Sequence, residues 1–244
     1  MALTTFQRDV CRLLADNRIR SGDDTAEALD ASWHADRVSL ESAGCRVQVL
    51  RERGGLVEVT VERGGDSVVI QWTRDSAYRF FPLVRHEELG LTLHPFDLAT
   101  NKLLALVGRA EPRDLVDALA CHERLQPLGY LAWAACGKDP GFSPRAILEH
   151  AAASTRYAAV ELAGLAFEGA PPDPAGLLRG WHDALRSARE IVGRLPPEQA
   201  GKAVLATDAR PFRGNAGELE AALGANALLF HEGAIKGAFP QVVG

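Results

Sequence analysis

"PFDLATNKLLALVGRAEPRDLVDAL", residues 95–119, sets Lys102, Arg109, Arg113 and Asp114 among apolar residues at helical spacing, with a proline between the arginines. Pro112 lacks an N–H and fits the first position of a helix. The stretch therefore divides into helices over 97–109, with Asp97 as the cap, and 112–124. Lys102 and Arg109 are seven apart and share a face, while Arg113 and Asp114 fall in the first turn of the second helix. Three cations beside the free N–H groups of a helix start suit a triphosphate. Asp114 beside them is placed to take a proton from an attacking hydroxyl. The same residues also read as a solvated hairpin in which Arg113 and Asp117 form an i,i+4 pair, worth only about 0.2–0.5 kcal/mol.

Upstream, Thr5 caps a helix whose Phe6, Val10, Leu13 and Leu14 fall on one face. Asp24 with Glu27 resembles a capping box opening a second helix, which carries Leu29, Trp33 and Leu40 and is closed by Gly44. The period then changes to two. CRVQVLR, LVEVTVE and SVVIQWT, separated by Gly54-Gly55 and Gly64-Gly65, predict a three-stranded antiparallel meander over 45–73. YRFFPLV and LGLTLHPF continue as extended segments. Downstream, Ser143-Pro144 and Asp173-Pro174 each place a capper before a proline. The second opens a helix with Leu177, Leu178, Trp181, Leu185, Ala188, Ile191 and Val192 along one face. FEGAPPDP at 167–174 reads as a linker, LLFHEGAIKGAF at 228–239 as a small Gly-turned hairpin, and Trp33, Trp72, Trp133 and Trp181 as core anchors. The expectation is an α+β chain: a small sheet with flanking helices over 1–125, then a mostly helical region with a short terminal hairpin over 126–244.

At 244 residues with 47% apolar and 24% charged content, the chain has an ordinary globular composition. A net charge of −5 gives no global attraction to polyanions, so any must meet a local basic patch. Arg186, Arg189 and Arg194 could form one such stripe, although Asp183 and Glu190 interrupt it. Cys11, Cys45, Cys121 and Cys136 show neither zinc nor disulfide spacing and read as reduced thiols. Residues 1–20 are too charged for a signal peptide, and no apolar run reaches membrane-span length, which together predict a cytoplasmic protein. Of 27 basic residues only Lys102, Lys138, Lys202 and Lys236 are lysines, and Lys102 alone sits inside a strongly apolar helical pattern.

The pattern N-K-L-L-A-L-x-x-R-x-x-x-R-D-x-x-D-A-L at 101–119 resembles the Lys/Arg and Arg-Asp motifs of the AbiEii/AbiGii toxin family of nucleotidyltransferases. TTFQRDVCRLLADNRI, the helix at 24–43 and SAYRFFPLV extend the likeness over most of residues 4–240. The resemblance implies a DNA polymerase β-like nucleotidyltransferase fold, with a small antiparallel or mixed sheet, followed by a helical C-terminal region. It implies that Lys102, Arg109 and Arg113 hold the phosphates of an NTP, and that Asp114 is the candidate catalytic base or acid. It further implies Mg²⁺ as cofactor, transfer of a nucleotide to an acceptor that in some members is tRNA, and a toxin–antitoxin or phage-defence setting with an antitoxin partner.

One part of the family pattern is missing. Its chemistry uses a Gly-Gly or Gly-Ser turn opening a helix, then an Asp-x-Asp whose carboxylates bind Mg²⁺. None of the 15 aspartates here forms an Asp-x-Asp, and both Gly-Gly pairs sit in the meander. At the position of a further strand carboxylate, IQWTRDS offers only Gln71 and an off-pattern Asp75. The gap falls between a first helix ending near Ile19 and DDTAEALDASW beginning at Asp23. Two expectations follow. Either a further segment separates Gly22 from Asp23 in the intact protein, or the chain is a shortened, non-catalytic relative that keeps the scaffold for binding or regulation. The residues as they stand do not complete two-metal nucleotidyl transfer.

Overall fold

The computed structural model describes residues 4–18, 26–73, 76–87, 89–153, 157–165, 167 and 172–240. The junction Gly22–Asp23 and the cap at Asp24 lie outside the described residues. The chain is α+β, as expected, and forms two compact units: 1–77 with 83–93, and 78–82 with 94–244. The units part near 77 and 94 rather than at 125, because the helices of the 95–119 stretch share one core with those that follow them.

In the first unit, α1 (Thr5–Arg18) is capped by Thr4, one residue before the expected Thr5. Thr4 Oγ1 accepts from the Gln7 N–H at 3.1 Å, and Gln7 Oε1 accepts from the Thr4 N–H at 2.9 Å, a reciprocal box. Helix α2 (Ala26–Ser42) ends at Gly44, whose φ of 77° is the left-handed stop that glycine adopts without strain. Strands β1 (Arg46–Arg53), β2 (Leu56–Arg63) and β3 (Asp66–Thr73) form the predicted meander in order β1-β2-β3, with a bulge between Val49 and Arg51. Alternation decides its faces: Val57, Val59 and Val61 point to one side and are buried beneath Phe6, Val10, Leu14, Trp33 and Leu40. Each such side chain contributes about 1.5–3 kcal/mol when fully buried. Trp72 Nε1 donates to the buried Asp36 carboxylate at 2.7 Å, so a polar group inside this layer is satisfied. A small ladder of β5 (Val84–His86) and β6 (Gly90–Thr92) completes the unit.

The second unit is built around α5 (Leu128–Ala135), LGYLAWAA, in which every residue is buried. A helix apolar on all sides belongs at the centre of a core, and α5 occupies that place. Around it lie α3 (Pro95–Arg109), α4 (Pro112–Arg124), α6 (Pro144–Ala153), α7 (Ala159–Ala163) and α8 (Pro174–Arg194). Ser143 and Asp173 cap α6 and α8 as their Pro-flanked spacing predicted. Gly129 lets α5 approach α8 closely: a Cβ there would stand 2.8 Å from the Ala188 carbonyl oxygen. Strand β7 (Ala203–Ala206), α9 (Ala216–Gly224) and β8 (Leu228–His231) close the far side, and Tyr130, Trp133, Ile191, Val204 and Leu219 form a second apolar cluster.

The expected terminal hairpin does not form. Strand β8 pairs with β7, Leu229 opposite Leu205, while β9 (Ala234–Ile235) pairs with β4 (Tyr78–Arg79). Each short apolar run found a longer-range partner, so the glycine between them changes sheets instead of closing a turn. Among the described residues, no helix is long and apolar enough to cross a membrane.

Candidate functional site

Helix α3 starts two residues earlier than its sequence suggested. Pro95 takes the first helical position, and His94 is the cap, its Nδ1 accepting the Phe96 N–H at 3.2 Å. This moves Asp97 from cap to first-turn residue, where it is fully buried. Its carboxylate accepts the N–H groups of Phe80 and Phe81 at 2.9 and 3.0 Å and pairs with Lys138 Nζ at 2.9 Å. Lys138 also donates to the Asp97 carbonyl and to Asn101 Oδ1. Together, Asp97 and Lys138 tie the Phe80-Phe81 segment to the start of α3. Sequence reasoning gave Lys138 no role; the His94-Pro95 pair, a residue before a proline that suits a first helical position, was the signal that would have placed the helix start correctly.

At the other end, Ala110 takes a left-handed conformation (φ 53°), Glu111 is extended, and Pro112 opens α4. This two-residue reversal produces a helical hairpin with nested cross-pairs. Arg109 grips Asp114 with two hydrogen bonds, Nε to Oδ2 at 2.8 Å and Nη2 to Oδ1 at 2.7 Å. Further along both helices, Lys102 Nζ meets Asp117 Oδ2 at 2.7 Å. Arg113 does not join them: it pairs with Glu111 at 2.7 Å, not with the expected i,i+4 partner Asp117, and remains largely exposed. The structure therefore brings Arg109 and Asp114 together, sets Lys102 near enough to act on the Asp114 charge, and turns Arg113 onto its own neighbour.

The electrostatics follow from these pairs. Burial pushes the Asp114 carboxyl up, but the hydrogen bonds and charge of Arg109, with help from the Glu111 backbone and the Lys102 charge, outweigh it and hold the group below the usual carboxylate range. Arg109 is correspondingly raised, first by the hydrogen bonds it donates to Asp114. Each of the three cations has a carboxylate: Asp117 for Lys102, Asp114 for Arg109, Glu111 for Arg113. An arriving phosphate must displace them. Arg109 favours the charged form of Asp114 and so opposes its taking up a proton.

Tyr157, which no sequence pattern singled out, belongs to the same neighbourhood. Its ring packs on the core of this unit, and its hydroxyl is buried with no hydrogen-bond partner among the described residues. Burial pushes its pKa up, and the charges of Asp114, Glu161 and Glu111 add to that.

The donors among the described residues are not arranged to hold Mg²⁺. Among the described residues, no three His, Cys, Asp or Glu side chains are grouped to hold a metal ion. The buried aspartates are also committed elsewhere: Asp114 to Arg109, Asp97 to Lys138 and two backbone N–H groups, and Asp36 to Trp72. No step through a metal is derived for these residues. Set beside known proteins, the chain matches no protein-family model, no curated protein and no solved structure.

Proposed function

We propose that the α3–α4 hairpin is the phosphate-handling half of an AbiEii-type nucleotidyltransferase site, binding the triphosphate of an NTP. In this reading the protein transfers a nucleotide to an acceptor such as tRNA, in the setting of a toxin with a cognate antitoxin. The observation that carries it is the gathering of Arg109, Asp114 and Lys102 at one place on two helices, in the motif spacing that the resemblance rests on. Arg109 is the phosphate ligand with the best geometry, since its planar fork already makes two parallel bonds to an anion.

Isothermal titration with each of the four NTPs tests the binding. Lys102→Ala and Arg113→Ala should each weaken it by roughly 1.5–3 kcal/mol, the range for charged hydrogen bonds. Glu111→Gln and Asp117→Asn should strengthen it, because each removes a carboxylate that competes with phosphate for a cation. Unchanged affinity in all four variants counts against phosphate recognition here. Label from an α-phosphate-labelled NTP appearing on tRNA, with Mg²⁺ present, supports transfer.

A second reading is favoured by one specific observation: the acidic residues described are all engaged or scattered, and none forms a metal cage. In that reading the same scaffold is a non-catalytic binding or regulatory protein. NTP binding without any transfer of label distinguishes it from the first.

A further inference from the structure

Within the Arg109–Asp114 pair the two partners face different environments. The Asp114 side chain has no exposure, whereas that of Arg109 is 46% exposed. An anion in solvent can therefore reach the guanidinium directly but cannot reach the carboxylate. Drawing Arg109 away leaves Asp114 as a bare buried anion, which is strongly unfavourable unless another donor takes its place. Lys102 is engaged by Asp117 and Arg113 by Glu111, and Glu161 is itself acidic.

One neutral donor is nearby. Helix α4 packs against α7, and Tyr157, just before α7, buries a hydroxyl that has no hydrogen-bond partner among the described residues. A buried hydroxyl without a partner is costly, so its position calls for a partner in some other state of the protein. Its elevated pKa keeps the proton on the phenol oxygen, so the group is a donor throughout the physiological range. Asp114 can accept it: each carboxylate oxygen has a second lone-pair site beyond the one Arg109 uses.

We propose that Tyr157 is a positioning residue that takes over Asp114 when an anionic ligand draws Arg109 away, so that the pair can open without leaving a bare buried charge. The ligand part of this rests on reading the hairpin as a phosphate site; the handover itself does not. No covalent change is involved: one hydrogen bond to Asp114 replaces two.

The decisive experiment is a thermal double-mutant cycle on the full chain, without ligand: wild type, Tyr157→Phe, Arg109→Met and the double variant. In the wild-type background Tyr157→Phe should leave Tm unchanged or slightly raised, because it removes an unpartnered hydroxyl. In the Arg109→Met background the same change should lower Tm by at least about 3 °C, since Asp114 then has lost both donors. Equal shifts in the two backgrounds overturn the handover. Should Arg109→Met not fold, titration of wild type and Tyr157→Phe with inorganic tripolyphosphate decides instead. The expected result is about tenfold weaker binding by Tyr157→Phe at an unchanged Tm, equivalent to one lost hydrogen bond. Equal binding overturns the proposal. Coupled melts together with no tripolyphosphate binding by wild type would leave the handover standing and refute the phosphate reading alone.

Discussion

Arg109→Met probes the pair on which the hairpin turns. Removing one partner of a fully buried ion pair costs about 3–5 kcal/mol, because the other is left as an uncompensated charge. Here Arg109 is half exposed, so water reaches its side of Asp114 once the guanidinium is gone, and a loss of about 2–3 kcal/mol is expected. With about 2–4 °C per kcal/mol for chains of this size, Tm should fall by about 5–10 °C. The pH dependence is more diagnostic than the size. In wild type the folded-state pKa of Asp114 lies below its ordinary 3.8, so the pair contributes fully above that value and is lost only as pH falls through the lower one. In Arg109→Met the strongest lowering influence is gone, and burial pushes the Asp114 pKa up. The variant's Asp114 therefore takes a proton on mild acidification and is relieved of its buried charge. Urea titrations from about pH 7 to about pH 4 should show the gap between the two proteins narrowing toward acid. The double change Arg109→Met with Asp114→Leu should recover most of the loss at neutral pH. A gap that stays constant with pH would refute the assignment of the loss to the Asp114 charge.

Lys138→Met should cost about 3–5 kcal/mol, because both members of the Lys138–Asp97 pair are buried, whereas Lys102→Met on the half-exposed Lys102–Asp117 pair should cost under about 1 kcal/mol. Similar denaturation midpoints for the two variants would contradict this ranking. Gly129→Ala should lose about 1–3 kcal/mol in thermal melts, since its Cβ would meet the Ala188 oxygen and the Ile191 Cβ at 2.8 Å; an unchanged Tm would mean α5 and α8 can part at no cost. Burial lowers the pKa of His122, whose Nδ1 accepts the Leu128 N–H at 3.0 Å. The unfolded chain, with the ordinary value of 6.5, then takes up the proton first. Stability is thus full above that value and falls as pH drops below it, until the folded pKa is passed. His122→Asn, which keeps an acceptor but no titrating ring, should flatten the fall in urea midpoint between about pH 7 and about pH 5, and an unaltered slope would remove His122 from the account.

The elements that were legible in the sequence are those fixed by local chemistry. The meander follows from period-two valines between Gly-Gly turns, and α4, α6 and α8 begin at prolines that need no N–H partner. What failed was decided at long range. The run at 228–239 carries every local mark of a hairpin, yet Leu229 lies opposite the buried Leu205, and Ile235, itself exposed, finds its backbone partner in Tyr78. A two-stranded hairpin alone is marginally stable in water, so any partner already packed in a core outcompetes the turn. The unit boundary failed for a related reason. Nothing in the spacing of 95–124 says that its apolar face meets Leu131, Ile147 and Trp181, which come later in the chain.

The candidate site was legible as a set of residues but not as a set of partners. Spacing along a helix shows which cations share a face; it does not show that Asp117 lies across the hairpin from Lys102, or that Arg113 folds back onto Glu111. Those pairings change what phosphate binding would require. A triphosphate arriving at three neutralised cations must release three carboxylates, and they are not equivalent. Glu111 and Asp117 are exposed enough to move into water at small cost. Asp114 has no exposure while Arg109 covers it. The carboxylates of Glu111 and Asp117 therefore set how strongly a phosphate must compete, whereas Asp114 decides whether it can bind at all. An Asp114→Asn variant isolates that control. It keeps the shape, removes the charge that holds Arg109, and should free the guanidinium for a solvent anion. If the hairpin takes phosphate, tripolyphosphate should bind Asp114→Asn at least about tenfold more tightly than wild type, the gain from no longer breaking a charged hydrogen bond. Equal or weaker binding would mean that Arg109 serves only to neutralise Asp114.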